Sequence, residues 1–392
     1  MSTYTNSVPF NGSLQTSLQP FDFQARTRVV FGPGALGRLG DLAREVGGER
    51  AILVSDPGIR AAGHVDRALQ SLEAASIRTV VYEGVEENPT TRHVESALEV
   101  ARNHRIDFIV GLGGGSSMDC AKGVNFLITN GGRMADYWGV GKAKHPMLPM
   151  IAVPTTAGTG SEAQSFALIS NEETHQKMAC GDKKAACAAA ILDPLVTLTQ
   201  PPEVTATTGI DAMAHALESY VTTKRNPASQ LFAREAWKLL QANFPAVLKE
   251  PEDAEARGAM LLGANYAGTA IENSMLGATH ACANPLTAHH GIVHGTAIAL
   301  MLPHVIRFNR PAVEELYIEL ADFAGLDSTE SLARHIESIR QEARLPQKLS
   351  DCGVKRKELR SLAGEAVKQW TAKFNPRPVS DQDLFELYER AF

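Results

Sequence analysis

The sequence predicts a chain in two parts, a parallel α/β sheet followed by an all-helical half. Three observations carry this. Short apolar runs alternate with helix-period stretches from about Gln24 to Leu192, the alternation stops after "AILDP" (190–194), and the remainder shows helical periodicity alone. Near-continuous apolar strands joined by amphipathic helices are what a parallel sheet covered on both faces requires, and such a sheet places ligands at the carboxyl ends of its strands.

In chain order, "AILVSD" (51–56) reads as a strand, "HVDRALQSLEAA" (64–75) as a helix and "RTVVYEGV" (78–85) as a strand. "HVESALEVARN" (93–103) is again helical, and "DFIVGLGGG" (107–115) is a strand running into a helix from Ser116. "MLPMIAVPT" (147–155) is a further strand. Beyond residue 194, "QLFAREAWKLLQANF" sets Phe232, Ala236, Leu239 and Leu240 on one helical stripe. Pro201 and Pro202 exclude a continuing helix or central strand, so the boundary falls there. The expected division is a loose arm over 1–23, an α/β domain over 24–200 and a helical domain over 201–392, consistent with a length of 392 residues.

With 44% hydrophobic residues, 21% charged and a net charge of −6, the chain has no electrostatic reason to seek nucleic acid or an anionic membrane, so small molecules are the expected partners. Five scattered cysteines without CxxC spacing argue against a disulfide framework or a thiolate zinc site and favour a reducing cytoplasm. The first twenty residues lack the basic start and apolar run of a signal peptide, and no stretch is apolar for the length of a membrane span.

Chemistry concentrates in four places. The glycine run from Gly111 to Gly115 leads into a helix that Ser116 or Ser117 can cap. Bare backbone N–H groups at such a start suit a pyrophosphate, although a ligand-free tight turn uses glycines equally. "PTTAGTGSE" (154–162) offers three threonine hydroxyls for a polar ligand. Asp56, ending a strand, either accepts hydrogen bonds from adenosine ribose, favouring NAD over NADP, or caps the next helix.

The fourth place is a set of histidines. Asp211 and His215 in "TGIDAMAHALESY" are four apart, on one helical face, as a metal pair or as a buried pair bonded to each other. "GATHACANPLTAHHGIVHG" (277–295) holds His280, His289, His290 and His294. In one unbroken helix His280 and His294 would stand about 21 Å apart, too far to share an ion, so the chain must turn between them; the turn is expected at Asn284–Pro285. An Asp with three neutral histidines suits Fe²⁺ or Zn²⁺, which would act as a Lewis acid on an alcohol or carbonyl oxygen. A rival trio uses His290, which stands four before His294 and could be its helical neighbour.

With these motifs in order, the chain resembles the iron-dependent (group III) alcohol dehydrogenases over nearly its whole length. The match runs from "FGPGAL" (31–36) through "GGGSSMDCAKG", "PTTAGTGSE" and "GIDAMAHALESY" to "HGTAIALMLPHVIRFN" (294–309). The resemblance implies a Rossmann-like dinucleotide-binding domain and a helical metal domain, the fold also used by dehydroquinate synthase, with NAD(P) and a divalent metal in the cleft and a homodimer or larger assembly. It implies Asp211, His215, His280 and His294 as metal ligands, and Gly114, Gly115, Ser116 and Ser117 at the pyrophosphate with Asp119 nearby. Thr155, Thr156, Thr159 and Lys177 would line the cofactor site, Asp56 and Asn88 the adenosine half, and Leu198 would pass over ribose and adenine. Lys177 read without the family is a solvated surface charge. Phe166, Leu168 and Ile271 would border the substrate pocket, apolar enough for a short aliphatic alcohol, or simply pack in the core.

The sequence departs from the family at Asn284, where many members carry a histidine near nicotinamide and metal. Asn cannot titrate, so proton release is expected through water and ribose hydroxyls, or through His289 or His290, which makes Asn284, His289 and His290 the candidate catalytic residues. The expected activity is NAD-linked interconversion of a small primary or secondary alcohol with its aldehyde or ketone. Glycerol dehydrogenases, hydroxyacid–oxoacid transhydrogenases and dehydroquinate-synthase-like lyases are the rival enzymes, and a catalytically silent metal- and nucleotide-binding protein is the rival of another class.

Overall fold

The computed structural model describes residues 20–174 and 176–392. Most of the expected arm, residues 1–19, lies outside the described residues; of its end, Phe23 lies 5.7 Å from Phe232, centroid to centroid. The described residues form nine strands: β1 (Arg28–Phe31), β2 (Arg50–Val54), β3 (Arg78–Tyr82), β4 (Phe108–Gly113), β5 (Gly139–Val140), β6 (Met150–Pro154), β7 (Phe166–Ser170), β8 (Lys177–Gly181) and β9 (Ala189–Leu192). Six of them build a parallel sheet in the order β1-β9-β6-β4-β2-β3. Ile52, Leu53, Ile109, Val110, Ile151 and Val153 are fully buried on its two faces, as the uninterrupted apolar runs require.

The helices among and beyond these strands are α1 (Leu39–Glu45), α2 (Pro57–Ala61), α3 (His64–Ala74), α4 (Thr91–Asn103) and α5 (Gly115–Asn130). Then follow α6 (Pro202–Val221), α7 (Pro227–Lys249), α8 (Ala254–Glu272), α9 (Ala278–His290) and α10 (His294–Phe323). The last are α11 (Thr329–Glu342), α12 (Leu359–Ala366) and α13 (Asp381–Ala391). None is long and apolar enough to cross a membrane among the described residues.

The strand order reverses between β2 and β4, since the chain leaves β2 for β3 on one side and returns to β4 on the other. A crevice opens at such a reversal, outside the carboxyl ends of the strands. Asp56 follows β2 there and the glycine turn follows β4. Gly113 pairs in register with Pro154, and the Thr155 N–H donates to the Gly113 carbonyl at 2.9 Å, so the glycine turn and the threonine loop leave the sheet side by side.

A second sheet, β5-β8-β7, was not foreseen: its antiparallel β7–β8 hairpin is built from strands too short to stand out from their flanks. Ala167 and Ile169 face the α/β core while Phe166 and Leu168, on the opposite face, are half-buried. In the helical half, α6 is buried almost all round from Thr205 to Val221, packed by α7, α8 and α10. A helix enclosed in this way places any polar side chain in the protein interior, where it needs a partner.

The connection between His280 and His294 differs from the expectation. α9 runs through Asn284–Pro285 and stops at Gly291, which takes the left-handed φ of +62°. Pro285 withdraws a single N–H from the ladder, and the helix absorbs this. From His280 to the end of α9 the helix advances about 15 Å, and the four steps to His294 span at most about 13 to 14 Å when extended. The return is therefore nearly straight, and it brings the His280 and His294 rings to 5.4 Å between centroids.

A candidate metal and dinucleotide cleft

Asp211 and His215 lie one turn apart on α6, His280 sits in the first turn of α9, and His294 is the first residue of α10. Around the Asp211 Oδ1 atom stand His215 Nε2 at 3.3 Å, His280 Nε2 at 3.4 Å and His294 Nε2 at 3.8 Å. Tetrahedral ligands at metal bonds of about 2.1 Å stand about 3.4 Å from each other, which is this spacing. Asp211 Oδ1 and His280 Nε2 are buried without a hydrogen-bond partner among the described residues, facing one another. His290, the rival for a ligand place, instead points its Nε2 at Glu358, 3.8 Å away.

His280 Nδ1 meets Glu218 Oε2 at 2.5 Å, which directs Nε2 at the Asp211 carboxylate, where it carries a proton or, once a cation displaces that proton, offers a lone pair to it. Burial alone would lower the His280 pKa, but Glu218 and Asp211 lift it to about 9. Burial pushes Asp211 up, yet the three histidines overcome it and hold its carboxyl well below the usual range. Burial lowers His215, and lowers His294 to about 3. The cluster demands positive charge at its centre, and a divalent cation supplies it in exchange for a proton. The residues thus fit a divalent metal of the Fe²⁺ or Zn²⁺ kind; His294, with 27% of its side chain exposed, marks the side open to the cleft.

Glu218 is a residue the sequence reading missed, although it continues the stripe of Asp211 and His215 three residues on. Besides orienting His280 it accepts the Thr279 N–H at 2.7 Å, fixing the start of α9. Glu218→Gln keeps the shape and removes the charge, so metal affinity is expected to fall about 10- to 100-fold. Competition with a chelator measures this; an affinity equal to wild type would show that Glu218 does not tune the ligand.

At the nucleotide end the helix starts earlier than expected. Gly114 occupies the N-cap place of α5 and no side chain caps it, so Ser116 and Ser117 lie within the first turn. Their N–H groups and that of Gly115 are left free for an anion. The Ser117 hydroxyl donates instead to Asp56 Oδ2 at 3.3 Å, while Asp56 Oδ1 accepts the Ile59 N–H and caps α2. The cap reading of Asp56 is the one seen, and it holds the carboxylate beside the glycine turn. A Cβ on Gly115 would lie 2.8 Å from Thr159 Oγ1, and one on Gly114 would lie 3.6 Å from Thr156 Oγ1, so the threonine loop touches the turn. Thr155 is buried with its hydroxyl unpartnered among the described residues. Lys177 stands exposed at the rim, its Nζ donating to Asn88 Oδ1 at 3.3 Å. Leu198 is half-buried just before α6.

The threonine loop also touches the metal helix. A Cβ on Gly158 would lie 2.5 Å from Thr208 Cβ, one turn before Asp211. Lys122, another missed residue, secures the loop: fully buried on α5, its ammonium donates to Ser161 O at 2.6 Å, Ser161 Oγ at 2.8 Å and Phe166 O at 2.9 Å. Ser161 Oγ in turn donates to Asp119 at 2.7 Å. A lysine in a helix reads as solvated, so its sequence offered no signal beyond the small, apolar neighbours around it.

The candidate proton carriers do not join the cluster. Nine residues after His280, His289 lies on the opposite side of α9, half-exposed, with Nε2 2.6 Å from Glu365. His290 faces Glu358 as described. Asn284 is half-buried one turn after His280, and its amide donates to Gln369 Oε1 at 3.0 Å. Ile271 is buried at the end of α8, next to Glu272, whose carboxylate accepts from Ser165 N and Oγ.

A nucleotide-type turn and an Asp-and-histidine cluster on one cleft define a metal-dependent dehydrogenase, and comparison with known proteins agrees. The model for the iron-containing alcohol dehydrogenases matches residues 26–194, and that for the carboxyl-terminal part of the Fe-containing alcohol dehydrogenase family matches 205–392. A 1,3-propanediol dehydrogenase from Citrobacter freundii is 35% identical over 96% of this chain and 100% of its own length. A crystal structure of a 1,3-propanediol oxidoreductase superposes with a TM-score of 0.92 at 34% identity, covering 95% of this chain and 100% of that one. A sulfoacetaldehyde reductase from Bifidobacterium kashiwanohense, solved in complex with NAD+, gives 0.88 at 28% identity, covering 95% and 99%. The chain belongs to the iron-containing alcohol dehydrogenase family. It is a metal-dependent oxidoreductase acting on CH–OH donors.

Proposed function

We propose that this enzyme interconverts a small primary or secondary alcohol and its aldehyde or ketone with NAD in preference to NADP, using Fe²⁺, or alternatively Zn²⁺, held by Asp211, His215, His280 and His294. The observation that carries the reading is the contact of the threonine loop with both the glycine turn and α6, which sets the nucleotide and metal ends on one cleft. Gly114, Gly115, Ser116 and Ser117 bind the pyrophosphate through backbone N–H groups, with Asp119 behind them. Thr155, Thr156, Thr159 and Lys177 line the cofactor site, Asn88 lies with Asp56 at the adenosine half, and Leu198 passes over the ribose and adenine. Asp56 accepts from a ribose hydroxyl and repels a 2′-phosphate, which favours NAD. When bound, the metal supplies Lewis acidity toward the alcohol oxygen.

Phe166, Leu168 and Ile271 give the substrate side an apolar wall, and Asn284 orients without titrating. With His289 and His290 engaged by glutamates elsewhere, the proton leaves through cleft water and ribose hydroxyls. The same reading divides the chain into domains at 200/201 and makes it a cytoplasmic homodimer or larger assembly acting on alcohols and aldehydes. Metal analysis of the purified protein, with NAD and NADP assays over a panel of alcohols and aldehydes, tests it. About one metal per chain and turnover that requires added NAD are expected; no reaction of any substrate with either cofactor in the metal-loaded protein would defeat it, and turnover without added cofactor would indicate a transhydrogenase.

A further inference from the structure

We infer that Trp370 is a specificity-determining residue, its indole closing the substrate end of the cleft by stacking across it on Phe166. This rests on the dehydrogenase reading above. The two rings come from opposite sides of the cleft, Phe166 from β7 of the α/β half and Trp370 from the 3-10 turn Trp370–Phe374 of the helical half. Their centroids are 5.9 Å apart with planes 29° from parallel, in contact. Both sides are held. A Cβ on Gly181 would lie 2.3 Å from Phe166 Cε1, so the phenyl ring lies flat over the partner strand and needs a glycine there. The Trp370 turn is anchored at its far end, where Phe374 O accepts from Thr222 Oγ1 and Thr223 N, both at 2.9 Å. At its near end Gln369 accepts from Asn284.

That last bond places the clasp. Asn284 is one helical turn from His280 and Gln369 is the neighbour of Trp370, so the stacked pair stands just beyond the metal cluster, where the carbon chain of an alcohol oriented by the cluster extends. Trp370 keeps 38% of its surface exposed, so its indole faces the open cleft as well as Phe166. With the rings in contact, a slender unbranched chain passes their edge, whereas a branched or aromatic alcohol must part them and lose the stacking. The Asn284–Gln369 amide pair ties the clasp to the metal helix.

The test compares kcat/KM for benzyl alcohol and 1-propanol with NAD in metal-loaded wild type, Trp370→Ala, Trp370→Phe and Phe166→Ala. Wild type should favour 1-propanol. Both alanine variants should raise the benzyl-to-propanol ratio about tenfold or more, chiefly through a lower KM for benzyl alcohol, and Trp370→Phe should stay near wild type. A general structural role would lower both substrates together and leave the ratio still. A ratio within about twofold of wild type in the alanine variants overturns the inference. Should Trp370→Ala fail to fold, Phe166→Ala alone decides in the same terms. A wild type that oxidises neither alcohol nor any other defeats the dehydrogenase reading, and this inference with it; an active wild type with an unmoved ratio defeats this inference alone.

Discussion

Asp211→Ala is expected to leave a folded protein that binds no metal, with kcat/KM for any alcohol reduced about a thousandfold or more. Asp211 is the one carboxylate inside a ring of three imidazoles, 5% exposed, and each histidine stands within 3.8 Å of its Oδ1 atom. Without it the histidines face each other with no negative charge to offset a divalent cation, and the neighbouring carboxylate, Glu218, is engaged on the far nitrogen of His280. Metal content per chain and thermal unfolding with and without added metal provide the check. Wild type should gain about 2.7 kcal/mol at a metal concentration a hundred times its Kd, and the variant nothing. A variant that retains one metal per chain and activity within tenfold of wild type would show that Asp211 is not a ligand.

The second large effect belongs to a residue with no functional group. Gly295 follows His294 in the first turn of α10, and a Cβ there would lie 2.1 Å from the Thr207 carbonyl oxygen and 2.6 Å from its carbon. The obstacle is helix backbone, so Gly295→Ala must push α10 away from α6 by about an ångström, at an overpacking cost of about 1 to 3 kcal/mol. His294 moves with it while Asp211 and His215 remain on α6. A shift of that size at a catalytic centre costs about a hundredfold in rate, and metal affinity should fall in parallel. Calorimetry, metal titration and kcat/KM measure the three consequences; wild-type values for all three would mean that the two helices have slack the contact does not indicate.

Gly295 also shows where the sequence is silent. Nothing in "VHGTAI" separates a glycine needed for helix contact from one that merely begins a helix, because the atom it avoids is 88 positions away in the chain. The glycine turn after β4 was legible since a strand, a glycine run and a helix are contiguous, and its constraint is local. Even so the cap was misassigned: serine is the stronger cap by type, but extended backbone at Gly114 takes the place and frees the Ser117 hydroxyl for Asp56. Asp211 and His215 were legible as a pair for the same local reason, one helical turn. Glu218 lies on the same stripe and was passed over because a glutamate in a helix is ordinarily solvated.

Local periodicity and turn chemistry were enough to establish two halves of different architecture, a phosphate-type turn on the first, and a pair of metal-type ligands on the second. These are relations between residues a few positions apart, which backbone geometry dictates wherever they occur. Bringing His294 rather than His290 to Asp211, turning His289 away onto Glu365, seating the threonine loop against α6 and bringing Phe166 to Trp370 all required folding. Each joins residues from different elements, and packing of the whole chain, rather than any local preference, sets the distance between them.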